Sequence, residues 1–243
     1  RNRSPISRVM IVAVCGGKGG VGKSTCSLNL ARELDAVVVD CDLTTADIPV
    51  GSPEAPDLHA VLAGLAAPMD AVRAVGSVRV VPGGRTLAGA RAATLEGLPT
   101  VLSRLESRCG RVVLDCPAGL ARDVGMALSC ADSAVLVTRP TRVALTDATQ
   151  TRALARRLET AIGAVVLNRV STPLESGVTA RVERAFGAPV TVLEDRTAIA
   201  NAQELGHPLR DIAPDDPALE SFSSLARDLE RCEARVFGQV GVR

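Results

Sequence analysis

One stretch near the start of the chain narrows the possible folds more than any other. The apolar run Val9–Cys15 passes into Gly16-Gly17-Lys18-Gly19-Gly20-Val21-Gly22-Lys23-Ser24-Thr25. From Ser24 to Leu34 the pattern turns helical, with Leu28, Ala31 and Leu34 facing inward. Gly17 through Ser24 fits G-x-x-x-x-G-K-[ST]. Glycines reach positive φ freely, so successive backbone N–H groups can close around anionic oxygens. A helix starting where the loop ends adds its own free N–H groups and positive dipole end. Strand, loop and helix together predict a cradle for the phosphates of a magnesium-bound nucleotide, built from Gly17, Gly19, Gly20, Val21 and Gly22. Lys23 is placed to reach the β- and γ-phosphates, Ser24 to set its hydroxyl on Mg²⁺, and Thr25 to lie nearer the α-phosphate.

The rest of the chain repeats strand and helix. Val37–Val39, Val78–Val81, Arg111–Leu114, Ala134–Thr138, Ala164–Asn168 and Val190–Leu193 read as strands. Helical patterns follow Asp57 and cover about Leu98–Leu105, Ala148–Leu158 and Leu219–Val236, while Leu43–Pro56 reads as a loop. The strands are continuously apolar rather than alternating, which predicts a mostly parallel sheet covered on both faces. The expected fold is a single-domain, three-layer α/β/α sandwich with seven or eight strands, spanning residues 1–243, with 221–243 as a C-terminal helix and tail. In such sheets ligands bind beyond the carboxyl ends of the strands, and the polar clusters all fall there.

Composition excludes some partners. Aromatics are 1% of the chain, with no Trp or Tyr, so stacking platforms for single-stranded nucleic acid are not expected. Formal charge is +1, from 28 basic and 27 acidic residues, which demands no polyanionic partner. Scattered Arg91, Arg104, Arg108, Arg152, Arg156 and Arg157 leave open a local patch, without the distinct basic helix expected of direct DNA binding. Only Lys18 and Lys23 are lysines, and every other cation is Arg. The seven cysteines show no C-x-x-C spacing, and Cys15, Cys41, Cys109 and Cys116 sit in or beside strands, so they read as small buried hydrophobes in a reducing, cytoplasmic compartment. No apolar run approaches the length of a membrane span.

Three acids stand at strand ends. Asp40 and Asp42 follow Val37–Val39, where alternation would put both on one side if strand geometry persists. Asp115 ends Val112-Val113-Leu114, placed to accept a hydrogen bond from an Mg²⁺-bound water or from Ser24. Asn168, at the end of a later strand, can both donate to and accept from an adenine edge.

Lys18 through Thr25 resembles the deviant Walker A motif of the MinD/ParA family of ATPases. The resemblance extends through Asp115-Cys116-Pro117-Ala118-Gly119, Asn168-Arg169 and Glu194-Asp195 to about residue 210, and is nearer the MinD branch. It implies that Lys18 crosses a nucleotide-sandwich dimer to the phosphates held by the other subunit, acting with Lys23 and Asp42 in catalysis. It implies that Asp42 holds the attacking water, that Asp40 supports Mg²⁺ through water, and that Asp47 is a nearby switch-loop acid. Ser24, Asp40 and Asp115 form the implied metal set. Asn168, Arg169, Glu194 and Asp195 are implied at the base, although Leu193 stands where the family pattern V-I-P-E-D has proline. Arg139-Pro140 and Asp147 fall where the family has its dimer face. The absence of C-P-x-C separates the chain from iron–sulfur scaffold relatives. Residues 221–243 carry four Arg against three acids, and Phe222 and Phe237 are too far apart for a strong amphipathic face.

These features imply an ATP- and Mg²⁺-dependent homodimerising switch that hydrolyses ATP and recruits a regulatory or cargo protein, as in cell-division site selection. Its place would be the cytoplasm, with peripheral contact at the inner face of the membrane only weakly supported. The alternative is a nucleotide-binding regulatory scaffold, or a ParA-like partitioning ATPase, with little intrinsic turnover. A small-molecule kinase or ligase would need a substrate pocket beside the γ-phosphate, for which the loop at residues 51–56 offers no support.

Overall fold

The computed structural model describes residues 10–43, 48, 55–84 and 86–238. Asp47 and most of the expected loop at residues 43–56 lie outside the described residues. In chain order the elements are β1 (Ile11–Cys15), α1 (Lys23–Leu34), β2 (Val37–Asp40), α2 (Leu58–Leu62), β3 (Arg73–Val75), β4 (Val78–Val81), α3 (Leu87–Ala92), α4 (Leu98–Cys109), β5 (Val112–Asp115) and α5 (Arg122–Cys130). They continue as β6 (Ser133–Thr138), α6 (Arg142–Arg157), β7 (Ala161–Val170), α7 (Val178–Phe186), β8 (Val190–Glu194), α8 (Thr197–Glu204), α9 (Leu209–Ile212) and α10 (Ala218–Gly238).

All eight strands form one sheet in the order β3-β4-β2-β5-β1-β6-β7-β8. Every pairing is parallel except β3 with β4. The apolar continuity of the strands has its reason in the two layers that cover them. Along β1, Ile11, Ala13 and Cys15 enter one core while Val12 and Val14 enter the other. Val37 and Val39 oppose Val38 in the same way, as Val112 and Leu114 oppose Val113. The first core is roofed by α2 and α4 to α7, the second by α1 and α8 to α10. In α10, Phe222, Leu225 and Leu229 are fully buried and the helix packs on α1, β7 and β8. Burying Phe222 alone contributes about 1.5–3 kcal/mol. No helix among the described residues is long and apolar enough to cross a membrane.

Local chemistry sets several boundaries. Asp57 caps α2, its Oδ1 accepting from the Ala60 N–H at 2.9 Å. Thr141 Oγ1 accepts from the Ala144 N–H at 3.3 Å, which starts α6 at Arg142 instead of the expected Ala148. Strand β3 has no counterpart in the sequence reading. Three residues are too few to show a period, and its antiparallel return to β4 is made by the two-residue turn Gly76-Ser77, with Gly76 at φ 54°. Cys15 ends β1, Cys41 and Cys116 follow β2 and β5, and all three are buried as expected; Cys109 is buried too, but as the last residue of α4.

Candidate functional site

The polar residues gather beyond the carboxyl ends of the parallel strands. Between β1 and α1 the loop is pressed onto its neighbours at Gly16, Gly17 and Gly22, where side chains would not fit. A Cβ on Gly16 would lie 2.7 Å from the Val137 carbonyl, and one on Gly17 would lie 2.4 Å from Asp147 Cβ. Gly22 has φ 95°, and a Cβ there would meet Asn168 Nδ2 at 2.1 Å. Gly19 and Gly20 face open space. Two side chains tie down loop carbonyls from the β6–β7 side. Asn168 Nδ2 donates to Val21 O at 2.7 Å, and Arg139 Nη2 donates to Gly20 O at 3.3 Å. With carbonyls held outward, the loop's N–H groups are left for an anion. Lys23 and Thr25 are buried, Ser24 is half-buried, and Gly20, Gly22, Lys23 and Ser24 line a cavity of about 300 Å³. A lining of loop backbone and the Lys23 amine has the chemistry to take a polyphosphate.

The acids lie on the other side of β1. Asp40 and Asp115 are register partners on β2 and β5, both buried. Asp115 Oδ1 accepts from Ser27 Oγ at 2.9 Å. Ser27 is on α1, one turn beyond Ser24, so the helix that begins at the phosphate loop also holds the β5 carboxylate. Strand β2 stops at Asp40, so alternation does not continue to Asp42. The link is a hydrogen bond, from the Asp42 N–H to Asp40 Oδ1 at 3.0 Å. Asp42 is half-buried. The thiol of Cys26 is pushed up to about 12 by burial, reinforced by the negative charge of Asp115. Cys41 is also held well above the ordinary thiol range, by burial first and then by Asp40 and Asp115. For Cys116 the hydrogen bond with Cys15, 3.2 Å between the sulfurs, is the leading cause of the same upward shift.

A second lobe of about 420 Å³ holds Asn168, Arg169, Glu194 and Asp195, and joins the first through Thr25, Arg169 and Gln203, which line both. Arg169 adopts a left-handed φ of 55° where the β7–β8 register shifts. Such a conformation in a non-glycine residue is uncommon and is kept only where surroundings impose it. Thr25 Oγ1 donates to Gln203 Oε1 at 2.8 Å. Lys18 lies apart from both lobes. Its side chain is half exposed, with Nζ 3.3 Å from Asp147 Oδ2 on α6.

The structure therefore brings Gly20, Gly22, Lys23, Ser24 and Thr25 together with Asn168, Arg169, Glu194 and Asp195 along two joined lobes. Asp40, Asp42 and Asp115 line neither lobe, and Asp115 is tied to the loop's helix through Ser27. Ser27 and Gln203 were not singled out from the sequence. The only signal for Ser27 was its spacing of one helical turn from Ser24, and for Gln203 there was none before α8 was placed.

The CobQ/CobB/MinD/ParA nucleotide binding domain matches residues 12–209. The chain belongs to this family. Within the MinD/ParA family its likeness is on the MinD side. An ATP-binding protein of Methanocaldococcus jannaschii is 34% identical over 231 residues, covering 90% of this chain and 86% of its own length. The cell division ATPase MinD of Pyrococcus furiosus superposes with a TM-score of 0.81 at 30% identity, over 93% of this chain and 100% of that one. The septum site-determining protein MinD of Pyrococcus horikoshii, solved with Mg-ADP, gives the same TM-score at 27% identity, over 93% and 98%.

Proposed function

We propose that the protein is a Mg²⁺-dependent ATPase in which hydrolysis is coupled to the pairing of two copies, and that the paired form recruits a regulatory or cargo protein. The observation that carries this reading is the place of Lys18. It is an amine within the phosphate-binding motif, yet it stands outside its own chain's phosphate cavity, half exposed and 3.3 Å from Asp147. Lys23 already serves that cavity from within. A second amine on the outer shoulder is placed to serve a triphosphate held by another copy, where its charge would stabilise the transferring phosphoryl oxygens.

ATP would lie with its phosphates in the Gly17–Thr25 loop and its base in the lobe of Asn168, Arg169, Glu194 and Asp195. The hydroxyl of Ser24 and the carboxylates of Asp40 and Asp115 would hold Mg²⁺, directly or through water. This all-oxygen set suits that ion, which takes one or two carboxylates together with substrate phosphates. Bound there, Mg²⁺ supplies neutralising charge to the phosphates. Asp42 would position the attacking water, since a free carboxylate is a weak base and orientation is its main contribution. The MinD likeness supports division-site placement as one task of such a switch, carried out in the cytoplasm or at the inner face of the membrane.

Sedimentation velocity with ATP, ADP and no nucleotide, run beside phosphate release, tests the reading. Association with ATP alone, lost together with hydrolysis in Lys18→Ala while monomer binding of nucleotide persists, is the expected result. Hydrolysis by K18A at the wild-type rate would refute it. A chain that binds ATP and pairs but releases no phosphate would instead be a regulatory scaffold.

A further inference from the structure

Behind the acids, the loop that leaves β2 is held by a side chain with no role so far. His59, on α2, is 2% exposed. Its Nε2 lies 2.9 Å from the carbonyl oxygen of Leu43, the residue after Asp42. A carbonyl only accepts, so Nε2 carries the hydrogen. The other ring nitrogen, Nδ1, is buried with no hydrogen-bond partner among the described residues. The ring is admitted by two glycines from different segments. A Cβ on Gly84 would lie 1.7 Å from Nδ1, and one on Gly89 would lie 2.8 Å from it. An aliphatic side chain would fill this pocket without a buried acceptor lacking a partner. The feature a histidine adds at this position is the bond to Leu43.

That bond completes a set of restraints around Asp42. Its own N–H is bound to Asp40 Oδ1 at 3.0 Å. Its carbonyl lies against Gly83, where a Cβ would come within 2.9 Å. His59 then fixes the next carbonyl. We propose that His59 is a positioning residue for hydrolysis, acting through the Leu43 carbonyl to hold Asp42 where its carboxylate can orient water. This rests on the reading of Asp42 given above. The phosphate loop is tied down by Asn168 and Arg139 from the opposite side of β1, so His59 governs the rate without setting nucleotide affinity.

The test compares His59→Leu, His59→Gln and His59→Asn in the full chain, with Asp42→Ala as the reference. A glutamine amide can reach the place of Nε2, whereas an asparagine amide falls short, near Nδ1. Phosphate release under saturating Mg-ATP gives kcat, and equilibrium binding of a fluorescent ATP analogue gives Kd. Thermal melts identify which variants are folded. The expected result is a fall in kcat of about tenfold or more in H59L and H59N, the scale of a misplaced positioning group. Kd should stay within roughly twofold of wild type, as for an interaction that matters in the transition state only. H59Q should recover most of the loss. If H59Q falls as far as H59N, both being folded, the ring acts by packing and the proposal is wrong. It is equally wrong if H59N, or H59L, keeps the wild-type rate while D42A loses it. Wild-type turnover in D42A would remove the assignment of Asp42 and this proposal with it, whereas the pairing by Lys18 would still stand.

Discussion

Ser27 offers a direct measure of how far the first helix holds the metal side of the site. Replacing it with alanine removes one hydroxyl and leaves the helix intact, since alanine is the best helix former. The lost contact is the 2.9 Å bond from Ser27 Oγ to Asp115 Oδ1, between two buried groups. A hydrogen bond to a charged group contributes about 1.5–3 kcal/mol to stability. Asp115 has further interactions that soften the loss, so about 1.5–2 kcal/mol is the expected cost. For a chain of this size the urea slope is about 3 kcal/mol/M, so the midpoint should fall by about 0.5–0.7 M with the slope unchanged. The same substitution loosens a carboxylate proposed to support Mg²⁺. The Mg²⁺ concentration for half-maximal phosphate release should therefore rise by about tenfold, the usual effect of removing an outer partner of a ligand. Equilibrium urea unfolding followed by circular dichroism and a Mg²⁺ titration of ATP hydrolysis are the two assays. A variant whose midpoint and Mg²⁺ response both match wild type would show that Ser27 neither stabilises nor orients Asp115.

Three more outcomes follow from contacts in the crevice. Asn168→Ala removes the tether on the Val21 carbonyl, and calorimetry should find ADP binding weaker by about tenfold, equivalent to one hydrogen bond of about 1.4 kcal/mol. Asp147→Asn releases Lys18 while keeping the shape against Gly17. It should change unfolding free energy by less than about 1 kcal/mol, because the pair is partly exposed, yet shift ATP-driven association measured by sedimentation. Burial raises the Cys26 thiol from 9.0 to about 12. The unfolded chain therefore releases this proton first, so the stabilisation is complete below pH 9 and is lost as pH rises from 9 towards 12. Urea midpoints should decline across pH 9–10.5, and Cys26→Ala should decline less.

The phosphate loop and the sheet were legible because each is written in adjacent residues. A glycine-rich motif between an apolar run and a helix has a single sensible geometry, and strands buried on both faces need no periodicity to be found. What escaped depends on residues far apart in sequence. Ser27 and Asp115 are 88 positions apart, and Thr25 and Gln203 are 178 apart. A serine in a helix has no meaning until its facing strand is known. The sequence places Asn168 against an adenine edge; the structure adds a contact it does not announce, the amide's bond to Val21 O, which the closeness of Gly22 permits. The left-handed turn at Arg169 was invisible too, because arginine carries no preference for it. The short helices α3, α5, α7 and α8 span only six to nine residues, too few turns for a period to stand out from the loops around them.

The contrast between the two lysines gives the protein a built-in label. Among 243 residues there are only two side-chain ε-amines, at positions 18 and 23. One stands half in solvent, and the other, 7% exposed, lines the cavity beside the loop. A mild acylating reagent should thus modify residue 18 and spare residue 23. Dye or cross-linker chemistry then reports on the outer shoulder of the loop, and on whatever comes to rest against it, without the introduction of a cysteine.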